Sequence, residues 1–82
     1  MYTVYVLHSH QHDKIYIGYT QDLEDRLKSR NELATKGWTI NFRPWKLIHT
    51  ETYQTKQQAL KREKLLKGGQ GRNWIRTSLL NQ

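Results

Sequence analysis

The 82 residues of this chain suffice for one domain, 1–82, which at this size buries only about 60–65% of its unfolded surface. The absence of cysteine excludes a disulfide framework and a thiolate zinc site. The 14 Lys+Arg against 7 Asp+Glu leave a net charge of +7, an excess that favours polyanions, nucleic acid first and an anionic membrane surface second.

The first residues, Met1-Tyr2-Thr3-Val4-Tyr5, lack the basic stretch and long apolar run of a signal peptide or membrane span. A cytoplasmic protein is therefore expected. Tyr2 to His8 alternates, with Val4 and Val6 on one side and Thr3, Tyr5 and Leu7 on the other. Lys14 to Tyr19 alternates as well, with Ile15 and Ile17 opposed to Tyr16 and Gly18. The polar Ser9-His10-Gln11-His12-Asp13 between them reads as a hairpin loop. If Val4, Val6, Ile15 and Ile17 share the main core face, Tyr5 and Tyr16 share the opposite one.

Thr20-Gln21-Asp22 opens a helix with Asp22, Glu24 and Asp25 in its first turn, where the helix dipole favours acids. Leu23 and Leu27 mark its buried arc, Arg26 flanks that arc, and Arg30 falls inside it. Lys36 to Arg43 reads as a loop or short irregular segment holding Gly37, Trp38 and Phe42, followed by Pro44. Trp45 to Tyr53 is a third strand, rich in β-branched and aromatic residues. Thr55-Lys56-Gln57-Gln58 has the spacing of a capping box. The helix that it starts runs to Lys67 and is stopped by Gly68-Gly69. A last amphipathic helix places Trp74, Ile75, Ser78 and Leu79 on one side. The order β-β-α-β-α-α predicts an α/β (α+β) fold, a small three-stranded antiparallel sheet flanked by helices.

Glu63 is the residue hardest to explain by packing. It falls on the helical wheel between Ala59 and Leu60, with Leu66 close by, where a carboxylate is costly unless paired or bound to a cation. One reading is an oxygen ligand for a hard divalent metal. The other is a structural salt bridge to Lys67 or Arg62. Arg26 can be a surface arginine or a guanidinium that grips phosphate oxygens bidentately. Tyr5 and Tyr16 can be packing residues of a half-buried sheet, or phenols near a phosphate or an attacking water. His8, His10 and His12 could present three imidazoles, but nothing nearby completes a zinc site, and a solvated hairpin tip is expected. Trp38, Phe42 and Arg43 could stack on bases or cover the sheet end; Trp45 is expected in the core.

Taken together, these residues resemble the GIY-YIG nuclease superfamily. One half-motif is intact as Tyr16-Ile17-Gly18; in the other, Thr3-Val4-Tyr5 stands where Gly-Ile-Tyr is usual. The stretch from Gly18 to Leu27 is similar to the family's strand-to-helix segment, with Arg26 at the catalytic arginine. Ala59 to Lys64 looks like the helix that carries its metal-binding glutamate, here Glu63. Arg43 to Leu47 resembles the start of the third strand in small stand-alone members.

The resemblance implies hydrolysis of DNA with one Mg²⁺ or Mn²⁺, in a setting such as DNA repair or recombination. Tyr5 and Tyr16 would activate or position the attacking water, Arg26 would stabilise the developing charge, and Glu63 would hold the metal. A single carboxylate implies an ion bound weakly without substrate. Asn73 is the nearest match to a C-terminal asparagine of the family. Arg30, Lys28, Arg43 and Arg72 are the expected nucleic-acid contacts. DNA is thus the expected partner, without membrane association. A lone module of this size is expected to show little sequence specificity, to recognise structure, or to rely on a protein partner. Two other readings remain: a non-catalytic nucleic-acid-binding module that keeps the fold, and an interaction protein without nucleic acid.

Many family members carry a histidine one turn after the arginine, where this chain has Arg30. A guanidinium does not accept a proton, and an essential base lost there costs roughly 10²–10⁴-fold in rate. Arg30→His is therefore expected to raise the rate of Mn²⁺-dependent cleavage. An unchanged rate would mean that no base acts from that position.

Overall fold

The computed structural model describes residues 1–28 and 41–80. Strands β1 (Tyr2–Ser9) and β2 (Lys14–Thr20) form the antiparallel hairpin that their alternation predicts. Its turn closes at Asp13, whose φ of 50° is a left-handed conformation that a short polar side chain tolerates. The Asp13 carboxylate takes a hydrogen bond from Arg76 at 2.9 Å and lies 3.1 Å from His8 Nε2. The Arg76 guanidinium foremost, with His8, holds that carboxyl below its ordinary range.

Strand β3 (Lys46–Tyr53) pairs antiparallel with the other side of β1, so the sheet order is β2-β1-β3. Val6 faces His49 while Leu7 faces Leu47, which leaves Ile48 as one extra residue in β3, a bulge that bends the edge strand.

Helices cover both faces of the sheet. On one, Val4, Val6, Ile15 and Ile17 pack against Ala59 and Leu66 of α2 (Lys56–Lys67) and against Ile75. On the other, Tyr5, Leu7 and Trp45 form the core with Leu23 and Leu27 of α1 (Leu23–Lys28), Phe42, Leu47 and Tyr16. Trp45 precedes β3 rather than opening it, and at 4% exposure it is the core residue that its sequence context predicts. The capping box at α2 is formed: Thr55 Oγ1 accepts from the Gln58 amide at 3.2 Å, and the Gln58 side chain accepts from the Thr55 amide at 3.4 Å.

Beyond α2 the structure departs from a plain amphipathic helix. Gly68 leaves α2 in an extended conformation, and a short α3 (Gly69–Trp74) is continued by a π-helical turn, Ile75–Leu80. Ser78, expected on the buried side, is exposed. The wider i→i+5 winding of a π-helix aligns Leu80, rather than Ser78, with Ile75, and both Leu79 and Leu80 pack on the core. Gly71 lets α3 approach α2: a β-carbon there would lie 2.2 Å from the Leu65 carbonyl oxygen and 2.5 Å from Leu66 Cα.

One polar cluster ties the outer strand to α2. Glu51 accepts two hydrogen bonds from Arg62, at 2.8 and 3.0 Å, and one from the Tyr53 hydroxyl, while His49 Nε2 lies 2.7 Å away. Arg62 also sits over the Trp74 ring, 5.6 Å from its centroid. Partial burial pushes the Glu51 carboxyl up, but Arg62, Tyr53 and His49 outweigh it and bring the pKa from 4.5 down to about 2.

A depressed carboxylate stabilises the fold above its unfolded pKa and loses that contribution as pH falls through its folded one. The loss should therefore run from about pH 4.5 to about pH 2. Its size is on the order of 2 kcal/mol, because water reaching a partly exposed carboxylate screens part of the shift. Glu51→Gln should flatten this part of the stability profile, measured by urea unfolding across that range. An unchanged acid limb in the variant would show that other carboxylates govern it.

Candidate active site

The cross-strand register sets the site. Tyr5 lies opposite Gly18 and Leu7 opposite Tyr16, so Tyr5 and Tyr16 are diagonal neighbours on one face. Their rings stack with centroids 6.3 Å apart and planes 26° from parallel. The Tyr5 ring crosses the backbone of Gly18: a β-carbon on residue 18 would lie 2.7 Å from the Tyr5 hydroxyl and 2.9 Å from Cζ. Tyr16 meets Trp45 edge-on at 6.2 Å. Tyr5 is 1% exposed and Tyr16 is half-buried.

The chain turns from β2 into α1 through a set of local hydrogen bonds. The Asp22 amide donates to Thr20 Oγ1 at 3.1 Å, and that hydroxyl donates to the Asp22 carbonyl at 3.2 Å. Asp22 Oδ1 then accepts from the Asp25 amide at 3.0 Å, as an N-cap does. The corner fixes the first turn of α1 and, with it, the half-buried Arg26.

Glu63 comes from α2, on the same stripe as the buried Ala59 and Leu66. Its side chain is 14% exposed, and its nearest cation is Lys67 Nζ at 3.7 Å. That is too long for a charge-assisted hydrogen bond. Arg62, the other candidate partner, is committed to Glu51.

Tyr5, Tyr16, Gly18, Arg26 and Glu63 line one cleft of about 570 Å³. Two phenols from the hairpin, a guanidinium from α1 and a carboxylate from α2 thus meet in one place. The cleft is also lined by Tyr2, Tyr19, Asp22, Asp25 and Lys56, which the sequence reading did not single out as site residues. For Lys56 a signal was available: it stands seven positions before Glu63, two helical turns along the same stripe.

The remaining expected contacts lie elsewhere. Lys28 is exposed at the end of the described part of α1, Arg43 is half-buried beside Phe42, and neither lines the cleft. Arg72 and Asn73 are exposed on α3; Arg72 Nε donates to the Lys67 carbonyl and the Asn73 carbonyl accepts from Thr77. Arg30 and Trp38 lie outside the described residues. His8 points to Asp13, and His12 meets Phe42 edge-on at 5.3 Å.

A family model described as the GIY-YIG catalytic domain matches residues 1–76. The chain belongs to the GIY-YIG family. At the level of the family, that membership implies nuclease-like cleavage of DNA. This GIY-YIG domain is similar to a UPF0213 protein of Bacillus velezensis, 41% identical over 51 residues, covering 62% of this chain and 52% of the relative. It is also similar to UPF0213 proteins of Staphylococcus epidermidis, at 41% over 49 residues, and Staphylococcus aureus, at 39% over 49 residues. Those matches cover 60% of each chain. The chain therefore spans between half and two thirds of the relatives that it matches.

Gly18→Ala should force the Tyr5 ring out of place. Overpacking of this kind costs typically about 1–3 kcal/mol. Denaturant unfolding measures the loss, and the largest ring-proton shifts in an NMR comparison should fall on Tyr5 and Tyr16. A variant of unchanged stability and spectrum would mean that the sheet absorbs the added methyl elsewhere.

Proposed function

We propose that this GIY-YIG domain, residues 1–82, is a divalent-metal-dependent endonuclease that hydrolyses phosphodiester bonds of DNA. The convergence of Tyr5, Tyr16, Arg26 and Glu63 in one cleft supports this reading. A surface that only binds nucleic acid has no use for a carboxylate, which repels phosphate, among its phenols and guanidinium.

The residues fit a single hard cation. Glu63 offers one carboxylate at the cleft wall, loosely held by Lys67. Mg²⁺ and Mn²⁺ commonly bind through one or two carboxylates, with water and substrate phosphate filling the other positions. Glu63 would hold such an ion weakly until substrate arrives; the chemistry that it supplies when bound is Lewis-acid polarisation of the phosphoryl group.

The chain's own groups would do the rest. Arg26 would take the non-bridging oxygens of the scissile phosphate in its planar fork and oppose the charge that builds on them. Tyr16, the more accessible phenol, would orient the attacking water and pass its proton outward. Tyr5, pressed between Gly18 and Tyr16, would be a positioning residue that fixes the Tyr16 ring. The active-site roles are matters of placement, and placement supplies a large part of the rate in such reactions. Asn73, exposed on α3 and outside the cleft lining, would serve the site from its edge. Lys28, Arg43 and Arg72 would extend the phosphate-binding surface beyond the cleft, and Arg30 would be a further phosphate contact. A role in DNA repair or recombination, inside the cell and directed by a partner protein, suits a domain with so little surface for reading sequence.

The test is a cleavage assay on linear, branched and flapped DNA with Mn²⁺. Glu63→Gln and Arg26→Ala should each lower the rate by about 10²-fold or more, while DNA binding largely persists. Tyr16→Phe should lower kcat more than Tyr5→Phe. If the unaltered protein binds DNA yet cuts no form of it, a non-catalytic binding module replaces this reading.

A further inference from the structure

The proposed reaction accounts for Arg26 and Glu63 but leaves Lys56 unused. Lys56 opens α2, is exposed, and lines the same cleft. Three cations outside the cleft have acidic partners among the described residues. Arg62 is bound to Glu51, Arg76 to Asp13, and Lys67 lies near Glu63. Among the described residues, neither Arg26 nor Lys56 is in an ion pair, although Asp22 and Asp25 line the cleft beside them. Arg26 and Lys56, neither closed on an acid, can each take an anionic group of a ligand.

Their spacing says which two. Lys56 and Glu63 are seven residues apart on one stripe, about 10 Å along the helix axis. One phosphate group cannot span that length. A nucleic-acid strand offers a charge about every 3.4 Å of rise, so a strand passing Glu63 presents further phosphates toward Lys56. The side chains differ in kind as well. Arginine's fork suits a phosphate whose geometry changes during reaction, whereas lysine's compact, strongly hydrated charge suits a phosphate that is only held.

We propose that Lys56 anchors a neighbouring, non-scissile phosphate of the polynucleotide, so that α2 carries the metal-binding carboxylate at one end of the cleft and a strand anchor at the other. This rests on the nuclease reading for the place of the scissile bond, but not for the contact itself. Each phosphate neutralised by a protein cation contributes about −0.9 to the slope of log K against log salt on duplex DNA, and about −0.7 on a single strand.

The experiment compares the unaltered protein, Lys56→Gln, Lys56→Arg and Lys61→Gln. Lys61 removes the same charge from the same helix but lines a different groove, with Tyr53 and Arg62. Binding of a duplex oligonucleotide is titrated without divalent metal from about 50 to about 200 mM salt, and cleavage is followed separately. Lys56→Gln should flatten the slope by about one unit, with Lys56→Arg retaining it and Lys61→Gln changing it by less than a third as much. Thermal melts should be alike, since Lys56 is exposed. In cleavage, Lys56→Gln should raise KM severalfold with kcat nearly constant. Equal slopes for Lys56→Gln and Lys61→Gln overturn the proposal, as does a fall in kcat at constant KM, which would place Lys56 on the reacting phosphate. A protein that binds but does not cut overturns only the nuclease reading, and the slopes still decide Lys56. A protein that binds no DNA overturns both.

Discussion

The passage of the Tyr5 ring across the α-carbon of Gly18 is the contact on which the rest of the site depends. The two residues are directly opposed in β1 and β2, and at residue 18 only a hydrogen atom fits beneath the phenol. With the Tyr5 ring against the neighbouring strand, Tyr16 stacks on it and Trp45 meets Tyr16 edge-on. Tyr5, Tyr16 and Trp45 thus form an aromatic layer beneath the cleft. Side chains in such layers have few alternative rotamers, which is what a group that must be held for chemistry requires.

Much of this was legible in the sequence because strands and helices have fixed periods. Alternation in Tyr2–His8 and Lys14–Tyr19 put the two phenols on one face, and they are there. The spacing of Thr55 and Gln58 located the start of α2, and the position of Glu63 among Ala59, Leu60 and Leu66 marked a carboxylate inside an apolar stripe. What the sequence hid was non-local. Nothing in the order of elements says that β1 is central, and nothing near Arg62 says that Glu51, eleven residues away, is its partner. Ser78 was misplaced because a 3.6-residue period was applied where the chain winds as a π-helix. Lys56 was hidden by a competing explanation: the capping spacing accounted for the segment, and its distance from Glu63 went unused.

The charges divide into two populations. At the β3 edge and at the hairpin tip, Glu51 and Asp13 gather Arg62, His49, Arg76 and His8 into closed clusters that tie strand to helix and hairpin tip to C-terminal turn. In the cleft, acids and bases stand side by side without closing on one another among the described residues. A net charge of +7 therefore does not spread evenly in effect. Paired charges act locally, while unpaired ones set the field that an approaching polyanion meets.

The central place of β1 has a consequence for how the molecule comes into being. The β1–β2 hairpin is local and can form on a microsecond scale. Its other neighbour, β3, begins at Lys46, so the second half of the sheet joins residues 38 to 51 positions apart, at a larger entropic cost than the hairpin. Helix α2 follows later still in the chain. During synthesis from the N-terminus, the phenols and Arg26 are thus laid down first and the carboxylate last. The cleft becomes chemically complete only when the last of these residues, Glu63, has joined the chain.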